Sequence, residues 1–412
     1  MSVLRDGRVL GPLLGIGWSV TVAVVVAVAL SFATGEGVRP VMLSAVLVGI
    51  ALGWVCLPDV DPTAPPKARH LLPVVLAIAV ALPAVLLLGR PVEAAEGASP
   101  LLAGAAVLIH LGAAVLGLRA MLRGLRFGPV DRHDAEGATI RFLTGFGYVF
   151  FTAIVAIPFW VMLVTSTKNR AELVSNPLDL GIDLSKGWDL FRSYRELFTD
   201  FDFGLYLVNS FAISVVTVLV TLLFAIPGAY AVARLRFGGQ AAFSRGILLI
   251  YMVPMIVLAL PIYIAFSLTG LRNTYLGILL IYPVTTIPVA LYMLQGYFQG
   301  LPAEVEEAGL MDGLSRLQVI WKITLPLSLP ALASVSLYVF MIAWNEFLLA
   351  FMLLDDPSKF TLTRGIAALN SSEIPRQHLM AGSVIATVPI MALFLGLERF
   401  MTKGLAAGAV KG

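Results

Sequence analysis

EVEEAGLMDGLSRLQVIWKITLPLSLP, residues 304–330, interrupts two long apolar stretches with what reads as two capped helical pieces. Pro302 suits the first turn of a helix. AEVEEAGLMD carries that helix on, with Val305, Ala308, Gly309 and Asp312 on one side and Glu304 and Glu307 together on another. Asp312-Gly313 ends it, because glycine can take the left-handed conformation after a last turn. Ser315 restarts it, and Ser-Arg-Leu-Gln at 315–318 has the form of a capping box. Leu317, Ile320, Trp321 and Thr324 then recur at helical spacing as an apolar stripe. The prolines of LPLSLP mark entry into the next apolar run. A passive connector needs neither caps nor a glycine elbow. The stretch is expected to lie along a membrane surface, against another protein or against lipid headgroups. Its acids would repel anionic lipid but could pair with basic groups on a protein. Its small residues, Ala308 and Gly309, would let such a surface come close.

Composition explains why a membrane is at issue. Of the 412 residues, 59% are hydrophobic and 13% charged, with a mean hydropathy of +0.91; a soluble domain is about 25% charged. Segments near the roughly 20 residues needed to span a bilayer fall at 11–33, 39–57, 71–89, 100–120, 143–165, 205–233, 246–268, 276–298, 328–354 and 379–402. Runs such as VTVAVVVAVAL are apolar all round, which fits helices and not the alternating strands of a barrel. The expected fold is therefore all-α and polytopic, with about ten transmembrane helices. Pro158, Pro254, Pro261, Pro283 and Pro288 fall inside spans, where neighbouring helices can satisfy the freed carbonyls. The first apolar run exceeds the roughly 7–15 residues of a signal-peptide core, so it reads as a retained anchor. Cys56 stands alone in an apolar run and reads as packing. A net charge of +3 with so few charges gives no reason to expect a nucleic-acid partner. Most Lys and Arg in short loops fall on one side when the N-terminus is placed in the cytoplasm, which puts the C-terminus and the 304–330 stretch there too.

Four spans in 1–120 are followed by a polar cytoplasmic linker at 121–142, six spans in 143–402 with a cytoplasmic loop at 299–329, and a tail at 403–412. His133 in the linker reads as solvated, since one histidine without spaced partners makes no metal site. His110 is the ionisable exception within the leading spans, either a functional group or a hydrogen-bonded packing residue. Trp344, Asn345 and Glu346 lie within a span, where a charge costs about 2.5–3.5 kcal/mol. They should face a water-filled path or a partner helix.

EEAGLMDG followed by ITLPLSLP resembles the EAA loop of ATP-binding-cassette importer permeases. Glu307, Ala308, Gly309, Asp312, Gly313, Leu325 and Pro326 match position by position, with Gly309 where a second alanine is usual. WNEF at 344–347, DGL at 312–314 and the terminal GLAAGAVKG at 404–412 resemble the MalG-like carbohydrate branch. The likeness covers 143–412 and leaves 1–142 as an N-terminal transmembrane extension to which it assigns no role.

The resemblance implies a six-helix core of MetI/MalG-like type in a bacterial inner membrane, importing a sugar, di- or oligosaccharide of the maltose/trehalose type. It implies a second, MalF-like permease, two MalK-like ATPase subunits, a periplasmic or extracellular sugar-binding protein and membrane lipid as partners. Glu306, Glu307, Ala308, Gly309, Asp312, Gly313, Leu325 and Pro326 would dock on the ATPase. Gly408, Lys411 and Gly412 of the tail would reach into the ATPase dimer. Leu362, Thr363, Arg364, Gly365, Asn370, Ser371 and Ser372, in the external loop 355–378, would meet the binding protein. Trp344, Asn345 and Glu346 would hold the two permeases together or line the pathway, with direct sugar contact as the other reading. The sequence has no GxxxxGK[ST] phosphate loop. No cofactor is therefore expected on this chain: ATP and Mg would be bound by the partner ATPases, and the chain itself would be no enzyme. An ion-coupled carrier would be expected to show internal repeats and several midplane acids, and a membrane scaffold would leave the capped loop unexplained.

Overall fold

The structure, a computed structural model, describes residues 6–57, 85, 89–95, 99–176, 179–371 and 373–409. It divides into two compact units, Met1–Leu190 and Phe191–Gly412. Among the described residues six helices are long and apolar enough to cross a membrane, and a bent pair makes a seventh. The fold is all-α and polytopic, as expected. The expected span at 71–89 lies outside the described residues apart from 85 and 89.

The first unit holds α1 (Gly7–Thr34), α2 (Met42–Val55), α3 (Pro100–Met121) and α4 (Arg132–Ser166). A two-stranded antiparallel ribbon, β1 (Val38–Pro40) with β2 (Val92–Ala94), was not anticipated. Helices α1 and α2 meet through glycines on both sides: a Cβ built on Gly11 would stand 2.6 Å from the Gly53 carbonyl oxygen, and one on Gly49 the same distance from that of Gly15. Small residues four apart on both helices let the backbones approach this closely. Trp18 fills the next level, and its indole N–H donates to the Ala113 carbonyl of α3 at 3.4 Å. His110 is fully buried there beside Ser19 Oγ at 3.2 Å. The polar stretch expected as a linker is half helical, because α4 starts at Arg132 with Asp131 as its N-cap. Past α4, α5 (Arg170–Ser175) and the following loop are tied by Lys168–Asp179 at 2.8 Å and Lys186–Glu172 at 2.6 Å.

The second unit opens with α6 (Arg192–Asp200) and is built on α7 (Phe203–Arg234) and α10 (Tyr275–Gly300). These two pack against each other, with Thr221 and Thr286 sharing a buried hydrogen bond of 2.7 Å. The expected span at 246–268 is two helices, α8 (Gln240–Tyr251) and α9 (Met255–Leu268). Pro254 stands at the break as the N-cap of α9, where its missing N–H costs nothing. α11 (Ala303–Met311) and α12 (Arg316–Leu327) follow, then α13 (Leu329–Asn345), at 79° to α12. The span expected at 328–354 is broken too: α13 stops at Asn345 and α14 (Leu348–Leu353) resumes. α15 (Leu362–Ala368) and α16 (Arg376–Ala409) are the last of the described helices.

Candidate functional site

The 304–330 stretch forms a bent bracket. α11 ends in a Schellman motif: Leu314 N–H donates to Gly309 O and Gly313 N–H to Leu310 O, both at 3.1 Å. Gly313 takes a φ of +86°, with nothing within 4 Å of where a Cβ would sit, so its role is conformational. Ser315 then caps α12. Its N–H donates to Gln318 Oε1 at 2.8 Å, and Gln318 N–H returns a bond to Ser315 Oγ at 3.3 Å. Within α12 the backbone widens into a π turn over Ile320–Thr324. That turn rotates the apolar stripe expected there. Leu317 and Trp321 face solvent, Ile320 is half-buried, and Thr324 points inward.

α11 turns one narrow face inward. It is Glu306 and Gly309, one turn apart; Glu307, Ala308, Asp312 and Gly313 are exposed. A Cβ on Gly309 would lie 2.5 Å from Ile323 Cδ1, so the missing methyl serves the fit of α11 on α12 rather than an outside surface. Glu306 accepts from Tyr230 Oη at 3.2 Å and from Thr324 Oγ1 at 2.9 Å, and pairs with Arg234 Nε at 3.4 Å. Arg234 also donates to the Leu301 carbonyl, where α10 ends, at 2.8 Å. Sequence reasoning missed this cluster. The available signal was Tyr230 and Arg234 four residues apart, on one face of the last turns of α7. What the bracket shows outward is Met311, 88% exposed, with Leu317 and Trp321, flanked by Glu307 and Asp312. Leu325 is half-buried and Pro326 exposed.

The Trp344–Glu346 group is separated by the break in its helix. Trp344 is buried, stacked on Phe340 at 5.6 Å, and its indole N–H donates to the Ala386 carbonyl of α16. Asn345 is exposed and donates to its own helix at Met341 O. Glu346 turns its carboxylate onto the free N–H groups of α14, accepting from Leu349 at 2.9 Å and Ala350 at 3.1 Å. The carboxylate thus does what an N-cap does, which accounts for an acid inside an apolar run.

The segment expected to be external, 355–378, is anchored rather than looped out. Asn209 Nδ2 donates to the carbonyls of Ser358 and Phe360, and Leu362 N–H donates to Ser210 Oγ. Leu362 and Gly365 are buried, and Thr363 Oγ1 donates to Glu346 O. Arg364 lies over the rings of Phe360 at 4.3 Å and Phe351 at 4.8 Å. Asn370 and Ser371 are exposed, and Ser372 is outside the described residues. A cleft of about 370 Å³ is lined by Phe347, Thr363, Ile366, Ala367, Asn370 and Leu379. At the C-terminus, Gly408 belongs to α16, while Lys411 and Gly412 lie outside the described residues.

Bundled apolar helices with a capped, bent bracket before the penultimate apolar segment define a polytopic membrane protein, and its relatives make it a transport subunit. Residues 225–406 match the family described as "Binding-protein-dependent transport system inner membrane component". The chain is 38% identical over 269 residues to the "Inner membrane ABC transporter permease protein YcjP" of Escherichia coli (strain K12), covering 65% of this chain and 95% of that one. It is 34% identical over 276 residues to the "Trehalose/maltose transport system permease protein MalG" of Thermococcus litoralis, covering 66% and 97%. A solved bacterial ABC transporter involved in the import of the acidic polysaccharide alginate has a chain that matches at a TM-score of 0.55 and 25% identity, over 65% of this chain and 98% of that one. The chain belongs to the permeases of binding-protein-dependent ABC importers, in the MalG-like carbohydrate branch, and carries an N-terminal transmembrane extension beyond its relatives' length.

Proposed function

We propose that this permease forms one half of the pathway of an ATP-driven importer for a di- or oligosaccharide. Its bracket would be the handle on which a separate ATPase subunit pulls. The observation that carries the reading is the division of labour within 304–330. Glu306, Gly309 and Thr324 face inward and hold the bracket stiff, while Met311, Leu317 and Trp321 are exposed apolar side chains. Exposed apolar side chains on a rigid, acid-flanked support are what a docking surface needs, and they are poorly suited to bulk water.

On this reading the other partners are a MalF-like second permease, two MalK-like ATPases that bind ATP and Mg, and an extracytoplasmic sugar-binding protein. This chain is then a transport subunit and not an enzyme, in the inner membrane with both termini cytoplasmic. The maltose/trehalose class is supported by the name of the Thermococcus relative. Of the external segment, exposed Asn370 and Ser371 are the residues free to meet a binding protein, since Leu362 and Gly365 are core.

The test is purification of the complex with wild-type chain and with Met311→Asp. Met311 is nearly bare, so the substitution leaves folding intact. Loss of ATPase subunits and of ATP-dependent uptake in the variant is the expected result. Undiminished retention and uptake, or uptake driven by an ion gradient without ATP, would overturn the reading.

A further inference from the structure

Glu304, Glu307, Asp312, Arg316 and Lys322 of the bracket are all exposed, whereas the carboxylate between them, Glu306, is buried. Its partners come from two other places. Tyr230 and Arg234 belong to the last turns of α7, and Thr324 belongs to the far limb of the bracket, brought round by the π turn. Arg234 in turn reaches the end of α10 at Leu301 O. One carboxylate therefore ties both limbs of the bracket to α7, and one guanidinium ties α7 to α10.

Apart from one hydrogen bond, Tyr297 Oη to Leu327 O at 3.1 Å, and the packing of Ile320, the chain otherwise joins the bracket to the spans at two points, Leu301-Pro302 and the 79° bend before Leu329. Each is a place where a chain can swing. With those links alone, a push on the bracket could be absorbed as rotation at the two ends. α7 and α10 are also packed together near this end, with Tyr230 edge-on to Phe298 at 6.3 Å and Ala225 and Ala229 among Leu291 and Leu294. Whatever moves Arg234 moves this pair.

We infer that Glu306, Arg234, Tyr230 and Thr324 form a joint that converts displacement of the bracket into displacement of α7 and α10. They are positioning residues and no part of the face a partner touches. A buried ion pair contributes little net stability over a well-packed apolar substitute but fixes one geometry, which is what a joint requires. The inference rests on the docking reading above, so its test must separate the two.

The assembled complex, reconstituted in vesicles with its sugar-loaded binding protein, would be compared with Glu306→Gln and Tyr230→Phe. Tyr230→Phe keeps the ring on Phe298 and removes the hydroxyl alone. Three quantities would be read: ATPase subunits retained per permease, ATP hydrolysed, and sugar taken up. Both variants should retain the ATPases and hydrolyse ATP, while uptake per ATP falls about fivefold for Glu306→Gln and by less for Tyr230→Phe. The exchange Arg234→Glu with Glu306→Arg should restore part of the ratio. An unchanged ratio in both assembled single variants sinks the joint alone. Loss of the ATPases from Glu306→Gln also sinks it, by making Glu306 part of the docking support. A wild-type chain that retains no ATPase sinks the docking reading and the joint with it.

Discussion

Glu196 shows how single side chains fix one end of the second unit. Its carboxylate accepts from Arg192 Nε at 2.7 Å and pairs with His378 Nε2 at 2.7 Å, so α6 is latched to the start of α16. The Arg192 hydrogen bond first, and then that of His378, holds the Glu196 carboxyl below its usual range against the opposing effect of burial. A carboxyl whose pKa is lower folded than unfolded stabilises the fold above the unfolded value of about 4.3, and that contribution is lost as pH falls through the folded value. Thermal unfolding in detergent between about pH 6 and pH 3.5 should therefore fall more steeply for wild type than for Glu196→Gln. Parallel curves would show that the latch carries no stability. At the elbow of the bracket, Gly313 at φ +86° has open space around it. Gly313→Ala should meet only the backbone penalty of a left-handed residue, about 1–2 kcal/mol. Faster amide exchange confined to 309–318 is the expected signature, and unchanged exchange there would contradict it.

At the scale of elements, the termini of the bracket were legible and its orientation was not. The caps at Ser315 and Gly313 follow from local chemistry, because serine, glutamine and glycine at those spacings act within one turn. Which face turned inward depended on two things outside any local pattern: a π turn in α12 and the arrival of Tyr230 and Arg234 from α7. Spacing also located the apolar run at 328–354 but not its break, since Glu346 becomes intelligible only once α14 presents free N–H groups to it. The α1–α2 contact was readable but unread: GPLLG at 11–15 and GIALG at 49–53 place small residues at the spacing of close helix pairs. A Cβ at Gly49 would stand 2.6 Å from a backbone oxygen and 2.8 Å from the Cα of Ile16, neither able to yield without moving a helix. Gly49→Leu should destabilise the first unit by about 1–3 kcal/mol or more, read as earlier thermal unfolding. Gly104, with nothing within 4 Å, is the control position, and equal effects at both sites would refute the packing account.

For the whole molecule, composition alone required a bilayer and helices, because 59% apolar residues in long unbroken runs leave no soluble alternative. It gave no account of why the chain is longer than its relatives, whose nearly full lengths align with about two thirds of it. The structure offers a physical measure of how far α4 depends on the extension. Its first half is packed: Ala135 and Ala138 are buried, and Phe142 and Val149 lean on the core of α1 and α3. Along its second half an apolar groove of about 860 Å³ opens beside α1, lined from Val24 to Ala33 and from Tyr148 to Leu163, with Phe32 still stacked on Trp160 at 6.1 Å. Lipid tails can fill such a groove, so α4 does not need the extension along its whole length. A chain beginning at Asp131 keeps the N-cap of α4 and every residue of the bracket and its joint. It should insert and support uptake, with a lower unfolding temperature from the bared faces of Ala138 and Phe142. Uptake normalised to the amount in the membrane decides the matter. Retained uptake with reduced stability makes the extension a brace, whereas a correctly inserted truncated chain that assembles but transports nothing would place the extension within the transport machinery.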